Sequence, residues 1–223
     1  MEYRGWLQTD GYDGYLAIGA MPGVEHLGCW AHVRRKFVEA VIAAGKGGKK
    51  PQAQRGVALI AKLYAIEKRI RGESPQHRLE VRQKEVPPIF QEIRDWKDEI
   101  SLKVTPSSAT GRALAYLHGQ WDRLIRYIED GRLEIDNNGA ENAIRPFVVG
   151  RKNWLFSDSV QGAKASANLY SLIETAKANG LEPYAYLRHV FECIPAAQTL
   201  EDFETLLPWK FTRDMQPKAN PAG

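Results

Sequence analysis

Two carboxylates stand where a metal-dependent centre could use them. Asp10 closes the short alternating run Gly5 to Thr9 and is followed at once by Gly11. A carboxylate at a strand end projects from a rigid sheet edge, where a metal ion can be held without loop motion. Glu141 falls in the first turn of a short apolar-periodic segment, with Arg145 one turn later on the same face. Both also admit a plain structural role. A first-turn acid complements the helix dipole, and Glu141 can pair with Arg145. Cys29 and His32 have metal-like spacing, but no second ligand pair follows, which favours a buried thiol beside a helix start over zinc. His77, His118 and His189 are scattered with no nucleophile pattern nearby. A phosphate loop, a dinucleotide fingerprint and a Gly-x-Ser-x-Gly elbow are all absent from the sequence.

The elements that must position these residues are legible from punctuation and period. Gly5 to Thr9 reads as a strand ending at Asp10-Gly11, and His26 to Cys29 as a second short strand. From Trp30 the period becomes helical: Phe37, Val38, Val41 and Ile42 fit a helix that stops at Gly45. Leu59, Leu63, Ile66 and Ile70 share one helical face, and Ser74-Pro75 is an N-cap with proline at the first helical position. Pro87-Pro88 predicts a break or kink, followed by an amphipathic stretch with Ile89, Ile93, Trp96 and Ile100. Pro106-Ser107 opens the next helix, whose stripe runs from Leu114 to Ile128. Residues 30 to 130 therefore read as almost entirely helical, with the Trp and Tyr residues in the core.

After the polar block Asp130 to Asn138, Ala140, Ile144 and Phe147 form the apolar face of a short helix closed by Gly150. Asn153 to Phe156 reads as a strand. A longer helix through Leu169, Leu172, Ile173 and Ala176 ends at Asn179-Gly180. Pro183 opens a helix to about Ile194, Thr199 caps a last short one, and the tail after Trp209 reads as frayed.

Composition bounds the function classes. A chain of 223 residues that is 43% hydrophobic and 26% charged can bury a core, which excludes a disordered or collagen-like chain. No apolar run approaches a membrane span, and the N-terminus has no signal-peptide pattern. Two cysteines are too few for a disulfide framework, which favours reduced thiols and a cytoplasmic setting. The net charge of +4 permits nucleic-acid binding without demanding it. Its distribution is more informative: Arg34, Arg35, Lys36, Lys46, Lys49, Lys50 and Arg55 face a single acid, Glu39, between Ala31 and Arg55. That flank suits a DNA-facing surface, or equally a solvated basic loop around Gly45 to Pro51.

Several blocks carry a resemblance. Residues 5 to 15 (Gly-Trp-Leu-Gln-Thr-Asp-Gly-Tyr-Asp-Gly-Tyr) resemble the transposases of the Insertion Sequence 66 family. So do residues 28 to 37 (Gly-Cys-Trp-Ala-His-Val-Arg-Arg-Lys-Phe). The densest block runs from Asp130 to Phe156 and contains Glu-Ile-Asp-Asn-Asn-Gly-Ala-Glu-Asn-Ala-Ile-Arg-Pro-Phe. Ser171 to Pro183 and Leu207-Pro208-Trp209 complete the series in the family's order.

The resemblance implies a DDE-type transposase: an α/β, ribonuclease-H-like core bearing three acids, with a large all-helical insertion that makes the chain mostly helical overall. Residues 1–29 would belong to the core, 30–130 to the insertion, 131–196 to the rest of the core, and 197–223 to a C-terminal helix and tail. Asp10 is then the second acid of the triad and Glu141 the third, together holding two Mg²⁺ (or Mn²⁺) ions roughly 3.5–4 Å apart. Arg34, Arg35 and Lys36 near Asp10, and Arg145, Arg151 and Lys152 near Glu141, would contact DNA phosphates.

Two departures qualify this. Asn142 stands where the family usually has arginine after the last acid. The family's first aspartate lies on an earlier strand, whereas only nine residues precede Asp10. The expectation is therefore a C-terminal part of such a transposase, a truncated copy lacking the first catalytic aspartate. The alternative is an inactive fragment that binds DNA or an intact transposase. Exposed core edges would favour self-association. The implied partners are DNA, other copies of the chain and accessory proteins of the same element, with no membrane.

Overall fold

The computed structural model describes residues 3–45, 51–154 and 157–211, with the main chain alone for Pro51 and 151–154. Two compact units divide the chain, 1–139 and 140–223. The chain is mostly helical, and the sheet among the described residues has two strands.

In the first unit, β1 (Gly5–Gln8) pairs in parallel with β2 (Val24–Leu27), Gly5 opposite Val24 and Gln8 opposite Leu27. A 3-10 turn (Asp13–Tyr15) and the short α1 (Leu16–Gly19) form the crossover. The second strand thus starts two residues before the expected His26 and ends at Leu27. This register pairs it fully with β1, and it frees Cys29 to stand at the N-cap of α2 (Trp30–Ala43).

Helix α2 buries Trp30, Val33, Phe37 and Ala40, one stripe at three- and four-residue steps. That stripe meets α3 (Pro51–Arg69) and α5 (Ala109–Leu124). Leu59, Leu63, Ile66 and Ile70 are all buried, as their spacing predicts. Helix α4 (Pro75–Ser101) packs on α3 and begins at the expected cap, where Ser74 Oγ accepts from the His77 amide at 3.3 Å. Aromatic rings fill the centre: Trp30 stacks on Phe90 at 6.0 Å, and Trp121 meets both rings edge-on. The Trp30 indole N–H donates to the Leu124 carbonyl at 2.9 Å, so its one polar atom is satisfied.

Three expectations are corrected here. Of the break or kink expected at Pro87-Pro88, the break is absent: α4 runs unbroken from Pro75 to Ser101. Each interior proline removes a backbone donor and crowds the preceding turn. Val86, Phe90, Ile93, Trp96 and Ile100 are all buried on either side, and that packing holds the helix through the defect. Helix α5 begins at Ala109 rather than at Pro106-Ser107, because Ser108 Oγ caps it by accepting from the Gly111 amide at 3.0 Å. Finally, α6 (Asn138–Trp154) passes through Gly150, so Asn153 and Trp154 are helical and not the start of a strand. A single glycine costs a helix only about 1 kcal/mol, too little to stop it. The remaining residues of that expected strand, 155 and 156, lie outside the described ones.

A buried ion pair ties the first unit together. Arg82 is fully buried and forms a fork on Glu67, Nε to Oε1 at 2.8 Å and Nη2 to Oε2 at 2.6 Å. Its Nη1 donates to the carbonyls of Tyr127 and Asp130, both at 3.2 Å. One side chain therefore links α3, α4 and the turn that leads toward Asp136.

The second unit holds most of α6, then α7 (Val160–Ala178), α8 (Pro183–Cys193) and α9 (Leu200–Thr205). Its buried cluster among the described residues is small: Ala176, Leu181, Tyr186, Val190 and Phe211. Phe211 is buried against Tyr186, so the part of the tail just past Trp209 is core rather than frayed. Residues 212–223 lie outside the described ones. Helix α9 starts with the capping box Thr199–Asp202, as the lone Thr199 suggests.

Candidate active site

The C-terminal end of the β1–β2 pair gathers the polar groups of the first unit. Thr9 continues the ladder, its amide donating to the Leu27 carbonyl at 3.1 Å. Its buried hydroxyl shares a hydrogen bond with His26 Nε2 at 2.7 Å. Burial holds the His26 imidazole below its ordinary pKa, and Arg123 and Arg126 push it the same way.

Asp10 follows, half-buried. Its Oδ1 accepts from the Tyr12 amide at 3.0 Å, an Asx turn that fixes the carboxylate just past the strand. Its carbonyl accepts from the Tyr116 hydroxyl of α5. Gly11 has φ +83°, and an added Cβ would meet Gln120 Nε2 at 2.8 Å and the Tyr116 hydroxyl at 3.0 Å. Both the conformation and the close approach of α5 require glycine next to Asp10. The strand end is therefore held by main-chain and side-chain bonds around the carboxylate.

Cys29 occupies the matching position after β2. Burial pushes its thiol up from the ordinary range, so it stays neutral, in keeping with a buried thiol at a helix start. Burial likewise pushes the Tyr116 phenol up to about 12, with Cys29 and Asp10 adding to the shift.

The segment 134–136 docks beside the same edge. Gln8 Nε2 donates to the carbonyls of Gly28 at 3.2 Å and Glu134 at 2.9 Å, and the Trp30 amide donates to the Ile135 carbonyl at 3.2 Å. Asp136 is then clamped. Its Oδ2 accepts from the Tyr64 hydroxyl at 2.8 Å, and its Oδ1 from the Asn138 amide at 3.1 Å. Burial and this carboxylate both raise the Tyr64 pKa, keeping the phenol protonated as the donor. The sequence offers Asp136 only as an acid before the Glu141 helix, no obvious substitute for the family's first aspartate, and does not single out Tyr64 or Tyr116. The only signal for Asp136 is the acidic block itself, and Tyr64 sits one place off the apolar face of α3.

Glu141 stands half-buried in the first turn of α6, with Arg145 exposed one turn on. It belongs to the second unit and Asp10 to the first. Arg34, Arg35 and Lys36 are exposed on α2. Arg34 and Arg35 line a cleft with α3, whereas Lys36 pairs with Glu39 at 4.0 Å and does not line it. The side chains of Arg151 and Lys152 lie outside the described residues, as do Lys46, Lys49 and Lys50.

Magnesium and manganese prefer carboxylate oxygens. Asp10 fits in kind: it is half-exposed at a rigid edge, and only Oδ1 is engaged among the described residues. Asp136 fits less well, because both its oxygens are committed. Among the described residues no three His, Cys, Asp or Glu side chains form a metal-binding group.

Comparison with known proteins covers most of the chain. Residues 1–165 match the family model described as Transposase IS66 family, and residues 171–209 the one described as IS66 C-terminal element. The uncharacterized protein y4jD of Sinorhizobium fredii is 34% identical over 97% of this chain and 43% of its own length. A second, y4qI from the same organism, is 33% identical over 95% of this chain and 40% of its own length. The chain thus spans about two fifths of the length of these curated relatives. No solved structure matches it.

Proposed function

The chain belongs to the IS66 transposase family, and from that premise we propose that it contributes to metal-dependent DNA cleavage and strand transfer, with Asp10 and Glu141 as metal-holding carboxylates. One observation carries the reading: a single family match, over residues 1–165, spans both acids. The ribonuclease-H-like arrangement of the catalytic core belongs to this proposal.

In this reading Asp10 offers carboxylate oxygen from a strand end fixed by the Tyr12 amide and by Tyr116. Glu141 offers it from the first turn of α6. Divalent ions bound there would activate water or a DNA 3′-hydroxyl and stabilise the leaving oxygen. Arg34, Arg35 and Arg145 would neutralise phosphates along the approaching strand, with Lys36, Arg151 and Lys152 as further candidates. DNA is the implied partner, and self-association and accessory proteins remain part of the proposal. No helix among the described residues is long and apolar enough to cross a membrane.

The test is Mg²⁺- and Mn²⁺-dependent nicking of DNA carrying the element's ends, assayed for the chain alone and for the chain extended to the length of its relatives. Nicking is expected from the extended protein and lost in Asp10→Ala and Glu141→Ala. Nicking that survives both substitutions would remove these residues from the chemistry. A second reading, DNA binding without chemistry, is favoured by Arg34 and Arg35 beside the α2–α3 cleft, which form no ion pair among the described residues. It predicts salt-dependent binding that persists in both alanine variants.

A further inference from the structure

The guanidinium groups of the first unit are mostly committed. Arg55 pairs with Glu99, Arg69 with Glu85, Arg78 with Glu134, Arg82 with Glu67, Arg126 with Glu25 and Arg132 with Asp130. Arg94 lies over the Trp121 ring. Arg34 and Arg35 differ. Neither forms an ion pair or hydrogen bond among the described residues, and both line one cleft of about 510 Å³ between α2 and α3. That volume falls within the roughly 300–1,000 Å³ typical of small-molecule sites.

The rest of the lining is chemically distinct. Ala31, Val38, Ala61 and Tyr64 supply an apolar wall, and Asn138 an amide. Tyr64 is anchored through its hydroxyl to Asp136 at 2.8 Å, so its ring is held in place before anything enters. Asp136 is spent on Tyr64 and the Asn138 amide, and does not pair with either arginine. Two uncommitted cations, a preset aromatic and apolar wall, and one amide with both donor and acceptor match the three parts of a nucleotide. Guanidinium suits phosphate, an aromatic or apolar face suits a base plane, and an amide suits a base edge. A cleft of about 510 Å³ has the volume for one unpaired nucleotide and not for a duplex.

We propose that the α2–α3 cleft receives one nucleotide of a single DNA strand, its phosphate on Arg34 and Arg35 and its base against Tyr64 and Ala61, within reach of Asn138. This rests on the DNA reading above and adds to it a subsite selective for an unpaired base. Ala61 is the useful probe position, since it is exposed on α3 and lines the cleft, so that bulk there fills the cleft without entering the core.

The experiment is fluorescence anisotropy with the 223-residue chain and two labelled probes, a short oligothymidylate and an abasic strand of the same length, across a salt series. The oligothymidylate is expected to bind about tenfold more tightly than the abasic strand, the scale of one stacked base. Ala61→Phe is expected to abolish that preference. The pair Arg34→Gln and Arg35→Gln should weaken both probes and lower the salt slope by about 0.7 for each phosphate no longer neutralised. Thymidine 5′-monophosphate at matched nucleotide concentration should not displace the strand. Salt-dependent binding of both probes with equal affinity, or a base preference that survives Ala61→Phe, would overturn the cleft while leaving the DNA reading intact. Displacement by the free nucleotide would replace the strand with a mononucleotide as its occupant. No binding of either probe would overturn both. Circular-dichroism melting of each variant confirms that a vanished preference is not a failure to fold.

Discussion

At the residue scale, the most consequential side chain outside the candidate site is Arg82. Its charge is tolerable in the core because Glu67 and two carbonyls take up its donors. Glu67→Ala should cost about 3–5 kcal/mol, because it leaves a buried charge uncompensated, whereas Arg82→Met combined with Glu67→Leu should cost much less. Urea denaturation of the two variants checks this, and equal losses would mean that the pair itself is the source of stability. His26 gives a pH prediction. Its folded pKa lies below the unfolded value, so the unfolded chain takes up the proton first as pH falls. Stability should drop on acidification from the ordinary histidine range down to the depressed folded pKa, then level off below it. His26→Gln should flatten the dependence of melting temperature on pH in that window. Arg82 itself was not legible in the sequence. It lies on a helix amid other charged residues, and only the fold places Glu67 and the Tyr127 carbonyl around it.

At the element scale, α4 carries two prolines without interruption, and α6 carries Pro146. In α4 buried neighbours on either side carry the helix past the two donors the prolines remove. Pro88→Ala should restore a backbone donor and raise stability by roughly 1–3 kcal/mol. An unchanged or lower urea midpoint would show that packing depends on the geometry imposed by the prolines. The turn before Asp136 has the opposite character. A Cβ at Gly131 would come within 1.7 Å of the Pro75 carbonyl oxygen, a backbone atom that cannot move aside cheaply. Gly131→Ala should therefore destabilise by about 1–3 kcal/mol or more, measured by the same denaturation. Helix faces and caps were readable because period and capping are local. The continuation through Pro87-Pro88 was not, because it depends on what the helix packs against.

At the scale of the whole molecule, the two units bury unequal cores. The first has a continuous aromatic and aliphatic interior drawn from α2 to α5, and the second a small cluster around Tyr186 and Phe211. Amide exchange should therefore be slower in α2–α5 than in α7–α9. Uniform protection across the chain would show instead that both units open together.

The sequence by itself determined the helical character of most of residues 30–130, the strand that leads to Asp10, the caps at Ser74 and Thr199, and the family to which the motifs belong. Each of these is written in neighbours a few places apart or in an ordered string of motifs. The tertiary structure alone decided that Arg82 is core, that Tyr64 holds Asp136, that Tyr116 braces the Asp10 carbonyl, and that Arg34 and Arg35 share a cleft without carboxylate partners among the described residues. These depend on groups 72 and 106 positions apart in the chain. Which distant group meets which is set by the packing of whole helices, and no local pattern encodes it.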